Sequence, residues 1–322
     1  MTPMADQSHW RPSASRLAVE ARSQLLVTIR RFFQQRNVLE VETPILSAAG
    51  NSDPNIESIS TSSSRRKFLR TSPEYPMKRL LAAGYGDIYE MGRVFRAGES
   101  GRHHNPEFTL LEWYRLGWDH LRLSEEVIEL IRACGDGQFD HWPVRRVTYR
   151  KLFLDGIGLD PWTCSESDLA SCAAERGIVA VSLGHQEWLD LLLAEVIQPA
   201  LPGEAITVLH DFPAQQAALA RIRHDDPPVA ERFEIYLGQM ELANGYRELT
   251  DAVEQLDRFQ REARLAETRG EEVKPLDMYL IAAMSHGMPD CAGVALGVDR
   301  LLMTCLKLDR IDAVLNFPAD RA

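Results

Sequence analysis

The chain has 322 residues, 45% of them hydrophobic and 26% charged, the balance of a soluble globular enzyme of one large α/β domain. Its 47 acidic and 36 basic residues leave a net charge of −11, which speaks against a broad surface for a nucleic-acid backbone. No apolar run reaches the length of a membrane span, the opening MTPMADQSHWRPSASR lacks a signal-peptide core, and five cysteines without a CxxC pair fit a reduced compartment, so the expectation is a cytoplasmic protein without a structural zinc.

Leu17–Arg36 repeats apolar residues at Leu17, Ala21, Leu25, Ile29, Phe32 and Phe33, the spacing of an amphipathic helix. Val38–Leu46 reads as a strand ending at Pro44, which cannot donate to a central ladder. This pair is either a core helix with an edge strand or a helix–strand unit at a subunit interface. Asn51–Arg66 is polar and Ser-rich, a surface loop or a lid. In Thr71–Leu81, Pro73 and Pro76 are expected to delay a helix until Met77, with Glu74 at its lip. The net charge leaves room for a local basic patch, and Arg65, Arg66, Lys67, Lys78, Arg79 and Arg102 sit near the stretches singled out.

Two strands, Ile88–Arg96 and Phe108–Tyr114, flank a polar loop with two glycines and a proline and read as a hairpin. Alternation puts Phe108, Leu110, Glu112 and Tyr114 on one face and Thr109, Leu111 and Trp113 on the other. An arginine at a strand end, two histidines and an acid beside an aromatic suit an anionic, planar ligand such as ATP; an ordinary hairpin with a solvated loop is the alternative. Residues 123–209 read as an inserted helical region, with helices over Ser124–Ala133 and Trp188–Ala200 and a capping box at Ser165 and Asp168.

Arg232–Asp251 carries acids at 234, 241 and 248 around Gly238 and Gly245, a set suited to Mg²⁺ or to an ammonium group. In Asp290–Leu308, Gly293 and Gly297 let backbone approach a ligand closely. Asp299 is an expected N-cap, and Arg300 falls in a first helical turn, where a cation belongs if an anion is bound.

VETP at 41–44, FRAGE with HNPEF at 95–108 and GVALGVDR at 293–300 resemble, in order, the three signature motifs of class II aminoacyl-tRNA synthetases. TSPE, HNPEFTLLEWY and ELANGYREL resemble the lysyl branch in particular. The likeness spans residues 10–322. It implies an α/β (α+β) fold, an antiparallel sheet flanked by helices, in a single catalytic domain over residues 1–322, with 123–209 as its insertion. The N-terminal OB-fold that grips a tRNA anticodon is not expected, because the first motif arrives near residue 41. The chain is thereby similar to the stand-alone paralogues of that branch that use ATP and Mg²⁺ to join (R)-β-lysine to a lysine of elongation factor P. A homodimer is implied, and neither stable tRNA binding nor a membrane partner is.

Residue by residue, the resemblance implies that Arg96 binds the α-phosphate of ATP and Arg300 the γ-phosphate. Phe108 stacks on adenine with His104 near the phosphates, and Glu99, Asn105, Glu241 and Leu242 complete the nucleotide site. Glu234 and Glu241 are implied as ligands of Mg²⁺. Glu112, Tyr114 and Glu248 are implied for the distal ammonium, Glu74 and Asn244 for the amino and carboxylate end, with Ser72, Ala295 and Gly297 beside them. Two departures stand out. Gly98 holds the place of the usual second-motif Glu, with Glu99 one residue late, and Ala295 replaces a usual Gly. One methyl at Ala295 would disfavour α-lysine by roughly 1–3 kcal/mol against an amino group moved to the β carbon. A truncated tRNA-charging synthetase, an ammonia-using amide ligase and an inactive paralogue are the alternatives. Ala295, Glu112 with Glu248, and the retained Arg96 and Arg300 respectively speak against them.

Overall fold

The computed structural model describes residues 10–53, 56–62, 65–181, 183–270 and 272–322. The start of the N-terminal stretch read above, and residues 54–55 and 63–64 of the Ser-rich loop, lie outside the described residues.

Helix α1 (Arg16–Gln35) starts where Ser15 accepts from the Ala18 N–H and buries Leu25, Ile29, Phe32 and Phe33, the predicted stripe. Strand β1 is only Leu39–Glu40, parallel to β4; Arg70 claims the Thr43 carbonyl and hydroxyl, so the chain leaves the ladder before Pro44. Leu46–Ser47 (β2) and Phe68–Leu69 (β3) form a separate small ladder around the Ser-rich loop. Helix α2 (Glu74–Ala82) begins three residues earlier than expected. Pro73 is its N-cap and Pro76 sits in the first turn, where a missing N–H costs nothing because no intrahelical acceptor exists there.

Strands β4 (Ile88–Phe95) and β5 (Glu107–Leu116) make the expected antiparallel hairpin. Helix α3 (His120–Cys134) follows, then β6 (Val144–Thr148), α4 (Tyr149–Ile157), α5 (Glu166–Glu175, with the Ser165–Asp168 capping box) and α6 (His185–Leu192). A π-helical turn over Leu193–Ile197 and a 3-10 turn at Pro199 break the helix expected over 188–200. Strands β7 (Ile206–Pro213), β8 (Ile222–Arg223), β9 (Val229–Leu237) and β10 (Met240–Arg247) come next, then α7 (Ala252–Thr268), α8 (Met278–Gly287), β11 (Cys291–Gly297) and α9 (Val298–Leu306).

The sheet runs β1-β4-β5-β11-β10-β9-β7-β6, antiparallel except at the edge pairs β1–β4 and β6–β7. Residues 123–209 therefore are not helical throughout: they supply two strands, β6 and β7, and α3, which packs on the main core.

One face of the sheet is covered end to end. Leu25, Ile29 and Phe33 of α1, Leu123 and Val127 of α3, and Leu301 and Leu302 of α9 pack there on Leu111, Trp113, Val294 and Leu296. The other face is covered only at its ends. Tyr149, Phe153, Leu169 and Leu189 meet Leu209, Phe212 and Tyr236 at one end. Met77 and Leu81 of α2, Phe259 of α7 and Leu280 of α8 meet Ile88, Tyr114 and Cys291 at the other. The middle of that face carries polar side chains and, among the described residues, no helix. That gap is the site.

Candidate active site

Strand register explains which side chains face the gap. Glu234 pairs with Asn244, Asn244 with Ala295, Ala295 with Glu112 and Glu112 with Glu90, so one transverse row crosses five strands on one face. The next row runs Arg232, Tyr246, Gly293, Tyr114 and Ile88. A Cβ at Gly293 would lie 2.3 Å from Tyr114 Cε1 and 2.4 Å from Glu248 Oε1, so only glycine lets these two side chains fold over the strand. Gly297 is open, with no neighbour nearer than 3.7 Å to such a Cβ.

A single pocket over this gap is lined by every expected nucleotide and amino-acid residue: Arg96, Glu99, His104, Asn105, Phe108, Glu241, Leu242 and Arg300, and Ser72, Glu74, Glu112, Tyr114, Asn244, Glu248, Ala295 and Gly297. Asn51 and Asp53 of the Ser-rich loop also line it.

At the cationic end, Arg96 lies 5.1 Å from the centre of the Phe108 ring and donates at 3.4 Å to the Thr71 carbonyl. Glu99 Oε1 is 3.4 Å from Arg96 Nη1. Gly98 takes a left-handed turn (φ 74°) that carries Glu99 into the pocket. Arg300, in the first turn of α9, donates at 3.0 Å to the Glu241 carbonyl and at 2.6 Å to His104 Nε2. His104 must therefore be neutral at that nitrogen, and burial, with the adjacent Arg300 charge, lowers its pKa from the ordinary value. Asp299 is not the N-cap of α9, which is Gly297. Its carboxylate accepts from the Thr109 N–H at 2.6 Å and from Arg22, tying α9 to β5 and α1.

At the acidic end, Glu112, Glu248 and Glu74 converge. Glu112 is 3% exposed and accepts from Ser72 at 2.6 Å and from the Tyr114 hydroxyl at 2.7 Å. Burial, then the like charge of Glu74, pushes its pKa up to about 8 against those two hydrogen bonds. Burial also pushes Glu248 up to about 7, with Lys78 opposing and Glu74 reinforcing the rise.

Lys78 belongs to no surface patch: its side chain is 1% exposed and its ammonium lies 2.6 Å from Glu74 and 2.7 Å from Glu248. The i,i+4 spacing of Glu74 and Lys78 on α2 was the available sequence signal. Glu234 lies outside the pocket lining, with one oxygen 2.6 Å from the Arg232 guanidinium and the other accepting from Tyr236 at 2.6 Å. Glu241 does face the pocket, and it stands opposite Tyr236, two residues on from Glu234, so the two acids share one face of the sheet. Arg232, which also donates to Asn244 Oδ1 at 3.2 Å, is a site residue that the sequence reading passed over.

A pocket with arginines and an aromatic ring at one end and buried carboxylates at the other, on the open face of an antiparallel sheet, is that of a class II synthetase-type catalytic domain. The family model of class II tRNA synthetases (D, K and N) matches residues 7–321. Relatives with the name elongation factor P–(R)-β-lysine ligase align along nearly the whole chain. The protein of Yersinia enterocolitica is 42% identical over 99% of this chain and 100% of its own length. That of Mannheimia succiniciproducens is 43% identical over 99% and 100%, and that of Vibrio cholerae 43% over 98% and 99%. The chain belongs to the class II tRNA synthetase family and, within it, to the group that carries this ligase name.

Proposed function

We propose that this protein is an ATP-dependent ligase that activates (R)-β-lysine as an adenylate and transfers it to a lysine ε-amino group of elongation factor P. The observation that carries the reading is three carboxylates, buried Glu112 and Glu248 and half-buried Glu74, at the end of the pocket opposite Arg96 and Arg300. A substrate with two ammonium groups and one carboxylate fits that polarity: its ammonium groups are drawn to the acids, which turns its carboxylate towards the phosphates.

The substrate carboxylate attacks the α-phosphorus of ATP and pyrophosphate leaves. Arg96 and Arg300 are pre-positioned by Thr71, Glu241 and His104, so they meet developing phosphate charge without reorganising. Phe108, with Arg96 beside its ring, offers a face for adenine, and Glu99 stands where it can meet the base. The acceptor amine then attacks the adenylate carbonyl, forming the amide and releasing AMP. Mg²⁺ would accompany ATP through its phosphate oxygens. Ala295 lies between Asn244 and Glu112, so its methyl projects where the amino end of the substrate would be held.

A homodimer and a cytoplasmic location belong to the same reading; no helix among the described residues is long and apolar enough to cross a membrane. The test is pyrophosphate exchange into ATP. (R)-β-lysine should support it and α-lysine should support it more slowly. Exchange with neither amino acid would overturn the proposal.

A further inference from the structure

Resting on that functional reading, the structure assigns a role to a residue outside the implied substrate set. We propose that Lys78 is a positioning residue of the amino-acid half of the site: a built-in ammonium that pairs with Glu74 and Glu248 and leaves two negative charges for the two ammonium groups of the substrate.

The geometry is unusual for a lysine. Its side chain is 1% exposed, and it reaches the acids from α2 beneath the pocket floor. The ammonium donates to Glu74 Oε1 at 2.6 Å. It also stands 2.7 Å from Glu248 Oε2, both side chains being 1% exposed. A carboxylate offers about four lone-pair positions, so Glu248 keeps hydrogen-bonding capacity for a second cation. Among the described residues, Glu112 meets the hydroxyl donors Ser72 and Tyr114 and no cation. Once the ammonium groups of a bound substrate favour ionisation of Glu112 and Glu248, three carboxylates and one ammonium make a net charge of −2, which two ammonium groups balance. Without Lys78, Glu74 and Glu248 would stand together with no counter-charge, and buried Glu248 would take up a proton in preference to ionising.

The other groups around Lys78 do not compensate. Tyr114 of β5, Tyr246 of β10, Tyr75 of α2 and Cys291 of β11 are all raised by burial and stay neutral near neutral pH. Helices α7 and α8 contribute Phe259, Leu280 and Met284 to the core around α2, all apolar. Arg232 of β9 is held by Glu234 and Asn244, and Arg258 of α7 by Glu254 and the Ala218 and Ala220 carbonyls, so among the described residues Lys78 is the cation in contact with both Glu74 and Glu248.

The test compares Lys78→Met and Lys78→Gln with the wild type in (R)-β-lysine-dependent pyrophosphate exchange, as a function of pH. Loss of the charge should cut kcat/KM for β-lysine about tenfold or more near about pH 6.5, because one unit of upward pKa shift in the acids is a factor of ten. The loss should narrow towards about pH 8.5 as those acids ionise. KM for ATP at saturating β-lysine should stay within about twofold of wild type, since its partners lie at the other end of the pocket. Gln keeps N–H donors but not the charge, so it should behave as Met does. A wild-type pH profile in Lys78→Gln, or a loss of equal size at every pH that Gln repairs, overturns the proposal. If neither variant folds, Lys78→Met/Glu248→Gln removes the pair as a unit and should fold. Failure of all three to fold also overturns it, making Lys78 part of the core. No exchange by the wild type itself would count against the functional reading, not against Lys78.

Discussion

Replacing Glu112 with Gln should make the protein more stable while removing its amino-acid activation. The carboxyl is buried, with a pKa pushed up from about 4.5 to about 8 by burial and by Glu74. Between those two values the folded state holds a proton that the unfolded state has released. Folding stability therefore falls as pH rises through this window, and below about pH 4.5 the penalty vanishes because both states are protonated. At pH 7 the penalty is roughly 3 kcal/mol, from 1.36 kcal/mol for each of about 2.5 pH units. Gln keeps one acceptor for Ser72 or Tyr114 and turns the other oxygen into a donor, at a cost of about 1 kcal/mol. The net expectation is a gain of about 2 kcal/mol at pH 7. The assay is urea unfolding of both proteins from about pH 5 to about pH 8, with the gap widening in favour of the variant as pH rises. Activity should fall at least about a hundredfold, since a buried charge partner of an ammonium is lost. A variant less stable than wild type at pH 7, or a gap that does not change with pH, would refute the reasoning.

Three further outcomes follow from the same geometry. Arg300→Ala should lower kcat for adenylate formation about 10²–10³-fold by pyrophosphate exchange with little change in thermal stability, because the side chain serves charge that develops in the transition state. Ala295→Gly should move the ratio of kcat/KM values for (R)-β-lysine and α-lysine towards α-lysine by about tenfold or more, within what one methyl can discriminate. Gly293→Ala should abolish β-lysine-dependent exchange and lower stability by more than about 2 kcal/mol, as its methyl would drive Tyr114 and Glu248 off the strand; intact activity there would sink the close-packing account.

Much of the pocket was legible because its side chains lie on strands, where period-two alternation fixes the face. Phe108, Glu112 and Tyr114 could be set on one side of β5 from the sequence alone, and Trp113 on the core side. Arg300 was legible for a related reason, since a helix start after a strand limits where its first turn can point. The losses came where long-range contact decides. Glu234 and Glu241 share a face, since Glu241 stands opposite Tyr236, but the ion pair of Glu234 with Arg232 shows only in the fold. Arg232 and Tyr236 then close on Glu234 from its own strand. Lys78 looked like any surface lysine because Glu248, its second partner, is 170 residues away in sequence. Strands β6 and β7 were hidden among helices, since VRRVT and ITVLHDFP show no alternation that separates a buried strand from a buried helix.

The central claim is that the pocket activates β-lysine for transfer to a protein amine. Its most direct test is the intact mass of elongation factor P after incubation with this protein, ATP, Mg²⁺ and either (R)-β-lysine or α-lysine. Gain of one lysyl unit with β-lysine, and much slower gain with α-lysine, is the predicted result. No gain with either amino acid, while tRNA becomes charged under the same conditions, would contradict the account.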